Sequence, residues 1–451
     1  MTPPSDAGRL APVAGYSPFY LWLQRLVKVE PEELKALIWS SLYFFSLLCA
    51  YYIVRPMRDE MAIAGGIEHI QWLFTGTFLV MLAAVPLFGW VASRYSRKQF
   101  LPYVYYFFIA NLLLFFALFK SDLTHAYVAR AFFIWASVFN LFVISVFWSF
   151  MADIFSTQQA QRLFGFIAAG GTAGALAGPA LTATLAIPLG PANLLLISAA
   201  FLAWAVFCIT RLFAWQAGMT ASRSGSGIET GGRAGATPVD QAMGGGIFAG
   251  IRLVASSSYL LGIALLMLLF TTLATFLYFH QAQIIRDSFA DSAERTAVFA
   301  AMDFAVNALT VTIQVFLTGR IVKALGMGWT LALIPLALGV GFLILGLRPV
   351  LGVLIVVQVL RRAGNYAIMR PAREMLYVVL GKEEKYKAKN FNDTVVYRGG
   401  DAVSAWVYTG LRGLGASLAA IAFIAVPLAG LWAWISFRLG KRQEQLAKDA
   451  G

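Results

Sequence analysis

Charge is scarce in this chain. Asp, Glu, Lys and Arg make up 13% of its 451 residues, whereas 59% are hydrophobic, and the mean hydropathy is +0.72. A soluble core cannot take in that much apolar side chain, so a water-soluble class is excluded. Cysteine is nearly absent. Cys49 and Cys208 both sit in apolar runs, and no disulfide framework is expected. Only three histidines occur. They show no metal-ligand spacing and join no Ser/His/Asp arrangement, so the expectation is no metal, no cofactor, no catalytic residue and no enzyme. A net charge of +13 would suggest nucleic acid in a soluble protein. In a membrane protein the same excess belongs in loops on the cytoplasmic side, and no nucleic-acid partner is expected.

What remains is apolar sequence in long continuous runs, which suits spanning helices of about 20 residues rather than barrel strands of about 10. Twelve spans are expected, near 34–54, 70–92, 99–119, 127–152, 162–185, 191–213, 257–281, 296–318, 327–346, 350–369, 392–412 and 416–438. The fold class is therefore all-α integral membrane. No cleavable signal peptide is expected in residues 1–35, which are polar and mixed. Between the sixth and seventh spans, "MTASRSGSGIETGGRAGATPVDQAMGGG" is rich in Gly, Ser and Ala and reads as a flexible linker. The expected division is an N-terminal segment 1–33, a six-helix bundle 34–213, a linker 214–252, a second bundle 253–438 and a tail 439–451. Basic residues crowd one set of loops, among them Arg94, Arg97 and Lys98, Arg320 and Lys323, and Lys385, Lys387 and Lys389. That bias places both termini and the linker in the cytoplasm of a bacterial-type inner membrane.

The two halves echo each other at an offset of about 230 residues. "GWVASRYSRK" (89–98) follows the second span and "GRIVKALGMG" (319–328) follows the eighth. Six spans, a linker and six more with weak internal similarity resemble the major facilitator superfamily, which implies two pseudo-repeat bundles that alternate access to a midplane site. Three stretches are sharper. "YYIVRPMRDEMAI" (51–63) resembles the Y-x-I-L-R-x-x-K-D segment of the nucleotide transporter family, the bacterial and plastid-type ATP/ADP translocases. "SAERTAVFAAMDF" (292–304) is similar to that family's N-E-Y-S-A-F-M-G-D-F segment, with Glu294 and Asp303 on its acidic positions. "RPAREMLYVVLGKEEKYKAKNFNDTVVYRGGD" (370–401) resembles its D-P-T-K-E-M-A-Y-I-P-L-D-x-E-x-K-x-K-G-K-A-x-x-D-V-V segment, with Arg373–Glu374 on Lys–Glu. Two departures stand out. The family's lysines are Arg58 and Arg373 here, and the acidic residue of its fourth span is missing, leaving Asn140 as the most polar central residue of that span. The resemblance implies a carrier of nucleotides or similar phosphorylated metabolites.

The residues themselves leave alternatives. Arg55 and Arg58 share a helix face, and either snorkel at a helix end or capture an anion, with Asp59 and Glu60 neutralising them when it is absent. Arg361 and Arg362 are the sharper case. A helix beginning near Val350 carries Arg361 about 16 Å inward, close to the bilayer midplane. Charge there is costly, so at least one of the pair is expected to face a cavity rather than lipid, with Asn365 and Tyr366 one turn on. Arg373 and Glu374 beside Pro371 are either cytoplasmic anchors or the rim of a pathway. Arg398 and Asp401 are placed to pair on one face, for structure or for gating. Glu294 is either a solvated loop residue or part of the coupling machinery, and Asp303 is a candidate proton site or arginine partner. "GGTAGALAGPA" (170–180) lacks the Lys-Ser/Thr ending of a phosphate loop, and its glycines every four residues suit close helix packing.

The substrate-binding candidates are thus Arg55, Arg58, Arg361, Arg362, Arg373, Arg398, Asn140, Asn365 and Tyr366. The coupling or gating candidates are Asp59, Glu60, Glu294, Asp303, Glu374 and Asp401. The expected function is alternating-access transport of a small anion by a monomer in the lipid bilayer. Nucleotide exchange leads, with Tyr366 or Trp148 available to stack on a base. A proton-coupled carrier of another organic anion is the alternative, and a non-transporting receptor is a third reading.

Overall fold

The computed structural model describes residues 29–94, 97–121, 125–225 and 253–449. They form helices joined by short turns, with no β-strand among them. The first half contains α1 (Leu34–Ala64), α2 (Ile70–Arg94), α3 (Arg97–Lys120), α4 (His125–Ile154), α5 (Thr157–Leu189) and α6 (Pro191–Gly225). The second contains α7 (Ser258–Ser288), α8 (Ser292–Phe316), α9 (Thr318–Leu347), α10 (Leu351–Leu376), α11 (382–413) and α12 (Leu418–Asp449). Starts are marked by polar caps. Ser156 and Gln159 form a reciprocal capping box on α5, and the Asp291 carboxylate accepts from the N–H groups of Ala293 and Glu294 on α8.

Among the described residues, eleven helices are long and apolar enough to cross a membrane. The element expected at 392–412 falls short of that description for a physical reason. It is built from three pieces, Lys382–Phe391, a π-helical Asn392–Val396 and Tyr397–Gly413, and it carries Arg398, Asp401 and Arg412. Its neighbours α2 and α7 cover it, so its polar face turns inward rather than to lipid. Large apolar side chains such as Leu87, Tyr103 and Leu347 stand exposed on the surface, as a bilayer-embedded protein requires.

Two expected edges move. α6 continues past 213 to Gly225, because that stretch has no proline and a single Gly218 is too weak a breaker; the rest of the expected linker, 226–252, and residues 1–28 lie outside the described residues. α12 likewise runs through the expected tail to Asp449. There the Glu444 carboxylate accepts from the Met327 N–H at 2.7 Å. That bond caps the break in α9 at Gly326, whose φ of +71° suits glycine.

The glycine stripe in α5 lets its backbone touch α1. A Cβ on Gly174 would sit 2.2 Å from the Phe45 carbonyl oxygen, and one on Gly178 would sit 2.7 Å from that of Cys49. His280 sits in a structural position, with its ring nitrogens 2.8 Å from Phe276 O and 2.9 Å from Leu418 O, and the single N–H of a neutral ring donates to one of these carbonyls at a time.

Buried apolar residues fall into two clusters. One draws only on 29–212. The other draws on the second half but also takes in Ala62, Ile63, Ile70, Leu73 and Phe133. All five lie toward the Gly65 rim, so the halves are welded there. α5 packs against α8, α2 against α11, and α1 against α7 and α8.

Candidate functional site

At mid-height between the halves lies a cavity of about 250 Å³, lined by residues of α1, α2, α4, α7, α10 and α11. Ten residues singled out in the sequence line it: Arg55, Arg58, Asp59, Asn140, Arg361, Arg362, Asn365, Tyr366, Arg398 and Asp401. They come from segments far apart in the chain. What unites them is that each is a polar group inside an apolar span, and the cavity is the place between the halves where such groups escape lipid.

The arginines differ in their partners. The Arg58 Nη2 donates to the Asp59 Oδ1 at 2.7 Å, and the Tyr278 hydroxyl donates to the same oxygen at 3.3 Å. Asp303 is almost fully buried. Its Oδ1 accepts from the Arg362 Nη2 at 2.5 Å, and its Oδ2 lies 3.6 Å from the Arg55 Nε. One carboxylate on α8 thereby holds an arginine from each half. Arg361 instead donates through Nε to the Gln358 Oε1 at 3.0 Å, and Gln358 in turn donates to Gln281. Arg398 lies over the Tyr397 ring, 5.4 Å from its centroid. Neither Arg361 nor Arg398 has a carboxylate within ion-pair distance among the described residues, and the pair expected between Arg398 and Asp401 is not formed.

Local backbone geometry sets part of this wall. Asn365 and Tyr366 open a π-helical segment, Asn365–Met369, in the middle of α10. The wider turn interrupts the regular ladder where the polar residues project, a placement common at functional sites.

Five singled-out residues do not line the cavity. Asp303 stands behind it as the shared partner just described. Glu60 is fully buried and receives both the Nε and Nη2 of Arg295, at 2.7 and 2.8 Å. It therefore neutralises Arg295 and not the Arg55–Arg58 face. Glu294 is exposed on the first turn of α8, where it complements the helix dipole. Arg373 faces Asp393 at 3.8 Å, and Glu374 accepts from Lys389 at 2.6 Å. Both sit beyond the π segment, at the end of α10 remote from the Gly65 rim. Trp148 packs against Phe44, Phe147 and Phe164 rather than beside the cavity. Sequence reading missed Arg295, Tyr278, Gln281 and Gln358. For the two glutamines a signal existed, since each is an amide inside an apolar run.

A comparison with protein families matches the Major Facilitator Superfamily over residues 37–379. The chain belongs to that superfamily. No curated protein matches it. Among solved structures, the POT family transporter PepTSo superposes with a TM-score of 0.61 at 13% identity, covering 90% of this chain and 98% of that one. A bacterial homologue of the iron transporter ferroportin in an inward-facing state gives 0.58 at 13%, covering 91% and 98%. A variant of the nucleoside transporter NupG gives 0.55 at 12%, covering 92% and 99%. At these identities the likeness is one of fold. Membership of the superfamily makes the chain an integral membrane transporter, and its cavity occupies the seam between the two halves.

Proposed function

We propose that this transporter moves a small phosphorylated anion by alternating access through the cavity between bundles 34–213 and 253–438. One observation carries the reading: five guanidinium groups, from Arg55, Arg58, Arg361, Arg362 and Arg398, surround one mid-height cavity. Arginine stays charged, and its planar fork matches phosphate and carboxylate oxygens. Held in low dielectric, such a cluster needs a counter-charge that arrives with the substrate. The three stretches resembling ATP/ADP translocases favour nucleotide exchange. In that scheme the return step requires a second anion on the arginines, and Tyr366 stacks on the base. The basic bias of the loops supports cytoplasmic termini in an inner membrane, and the seam needs only one chain to form, which supports a working monomer.

The experiment is counterflow in proteoliposomes with nucleotides, sugar phosphates and carboxylates, after a thermal-shift screen of the same panel. Exchange of phosphorylated anions that fails in Arg361→Gln supports the reading. Equal exchange by wild type and by that variant removes the site assignment.

A second reading has its own observation. Asp401 faces the cavity with no ion-pair partner within reach among the described residues, so it is placed to carry a proton with another organic anion. A pH jump outside the proteoliposomes separates the two, because nucleotide exchange proceeds without a proton gradient.

A further inference from the structure

Resting on the carrier reading above, the charges around the cavity narrow the substrate: we infer that the site takes a doubly charged anion, a single phosphate monoester, held between Arg361 and Arg398. Five guanidinium groups and two carboxylates line the cavity, and Asp303 adds a third carboxylate from behind Arg55 and Arg362. With all three carboxylates ionised, five less three leaves two positive charges. Arginine cannot shed them by losing a proton.

The excess has an address. Asp59 answers Arg58 at 2.7 Å, and Asp303 answers Arg55 and Arg362. Arg361 has only an amide, and Arg398 only a ring face. Asp401 lies in the field of Arg398, Arg361 and Arg58 without touching any of them within ion-pair distance, so it lowers the local charge while leaving both forks free. Asp303 offsets only one of its two arginines and Asp401 only one of Arg361 and Arg398, so one excess charge lies on each group, but the two guanidinium forks without a carboxylate partner both sit on the α10–α11 wall of the second half. Arg55, Arg58 and Arg362 are occupied in holding the halves and the wall together.

A phosphate monoester brings about two negative charges at neutral pH and three acceptor oxygens to two guanidinium forks. A monoanion would leave one charge uncompensated in low dielectric, and a di- or triphosphate would overshoot. Size agrees: about 250 Å³ is just below the roughly 300–1,000 Å³ usual for small-molecule sites, which suits one phosphate on a compact body. Tyr366 and Tyr397 supply apolar faces for that body.

The test is competition for exchange in proteoliposomes at fixed pH without divalent cations, using AMP, ADP, ATP and succinate. Wild type is expected to prefer AMP to ADP by about tenfold or more. Asp401→Asn adds one net positive charge and is expected to move the AMP-to-ADP ratio toward ADP; Arg398→Gln removes one and is expected to weaken ADP more than AMP. The ratio is read within each protein, so reduced folding of a variant does not imitate the result. A wild type that prefers ADP or ATP overturns the inference, as does a ratio unmoved by Asp401→Asn. Succinate competing as well as AMP overturns the phosphate assignment. Exchange of none of the four removes the carrier reading itself, a failure distinct from a wrong charge preference.

Discussion

Asp303 shows how much one carboxylate can hold in this wall. It is 1% exposed and binds Arg362 at 2.5 Å and Arg55 at 3.6 Å, one from each half. Removing one member of a buried ion cluster leaves the others uncompensated, at a cost of about 3–5 kcal/mol. Asp303→Asn is therefore expected to lower the thermal unfolding midpoint sharply in detergent. Combining it with Arg362→Met is expected to cost less than the two single changes added together, since the second change removes an orphaned charge; strict additivity would show that the three groups do not act as a unit. The arginines outside this cluster divide by place. Arg361 faces the cavity, whereas Arg373 faces Asp393 at 3.8 Å beyond it. Arg361→Gln is expected to raise the half-saturation concentration for exchange about thirtyfold or more, the scale of losing a desolvated charge contact. Arg373→Gln is expected to leave it within about twofold. Equal effects in uptake assays would contradict this division.

At the level of elements, α5 and α1 meet through backbone rather than side chains. Because a Cβ at Gly174 would lie 2.2 Å from the Phe45 carbonyl, whereas nothing lies within 4 Å at Gly218, Gly174→Ala is expected to cost about 1–3 kcal/mol or more, and Gly218→Ala nothing measurable, in the same thermal melt. This packing was readable in the sequence, because a glycine every four residues is a local pattern with one physical use. Arg361 and Arg362 were readable for a similar reason: counting the rise per residue from Val350 already carried them to the midplane. The π-helical turns at Asn365–Met369 and Asn392–Val396 were not, since one inserted residue leaves no periodic mark in so short a stretch. Pairings between distant residues were equally hidden. Glu60 and Arg295 are separated by 235 positions, and from sequence Glu60 found a nearer role beside Arg58 while Arg295 drew no role at all. Arg373 differs: a strong local motif marked it, and its side chain faces Asp393 at 3.8 Å outside the cavity lining.

For the whole molecule, the distribution of bonds between halves fixes which way the transporter is shut. Between mid-height and the Gly65 rim the halves are tied by Arg55–Asp303, Tyr278–Asp59, Arg295–Glu60, Asn307–Ala175, Trp406–Thr75 and Thr409–Gln71. These ties gather on that side and shut the cavity toward the Gly65 rim. Alternating access requires the tied rim to open in the other state, and every bond there then biases the equilibrium. Glu60–Arg295 is the strongest by geometry: it is bidentate, with Glu60 fully buried and Arg295 12% exposed. At about 3 kcal/mol, its loss would move the population roughly a hundredfold. Arg295→Gln is therefore expected to speed labelling of a cysteine placed at Ala274, on the cavity wall, by an impermeant maleimide added on the Gly65 side. The background needs only Cys49 and Cys208 replaced, both already buried. The exchanged pair, Glu60→Arg with Arg295→Glu, restores the attraction and is expected to return the labelling rate toward that of the parent. If Arg295→Gln leaves the rate unchanged, the rim is held by its apolar weld around Ala62, Ile63 and Ile70, and the ion pair serves only to make a buried carboxylate tolerable there.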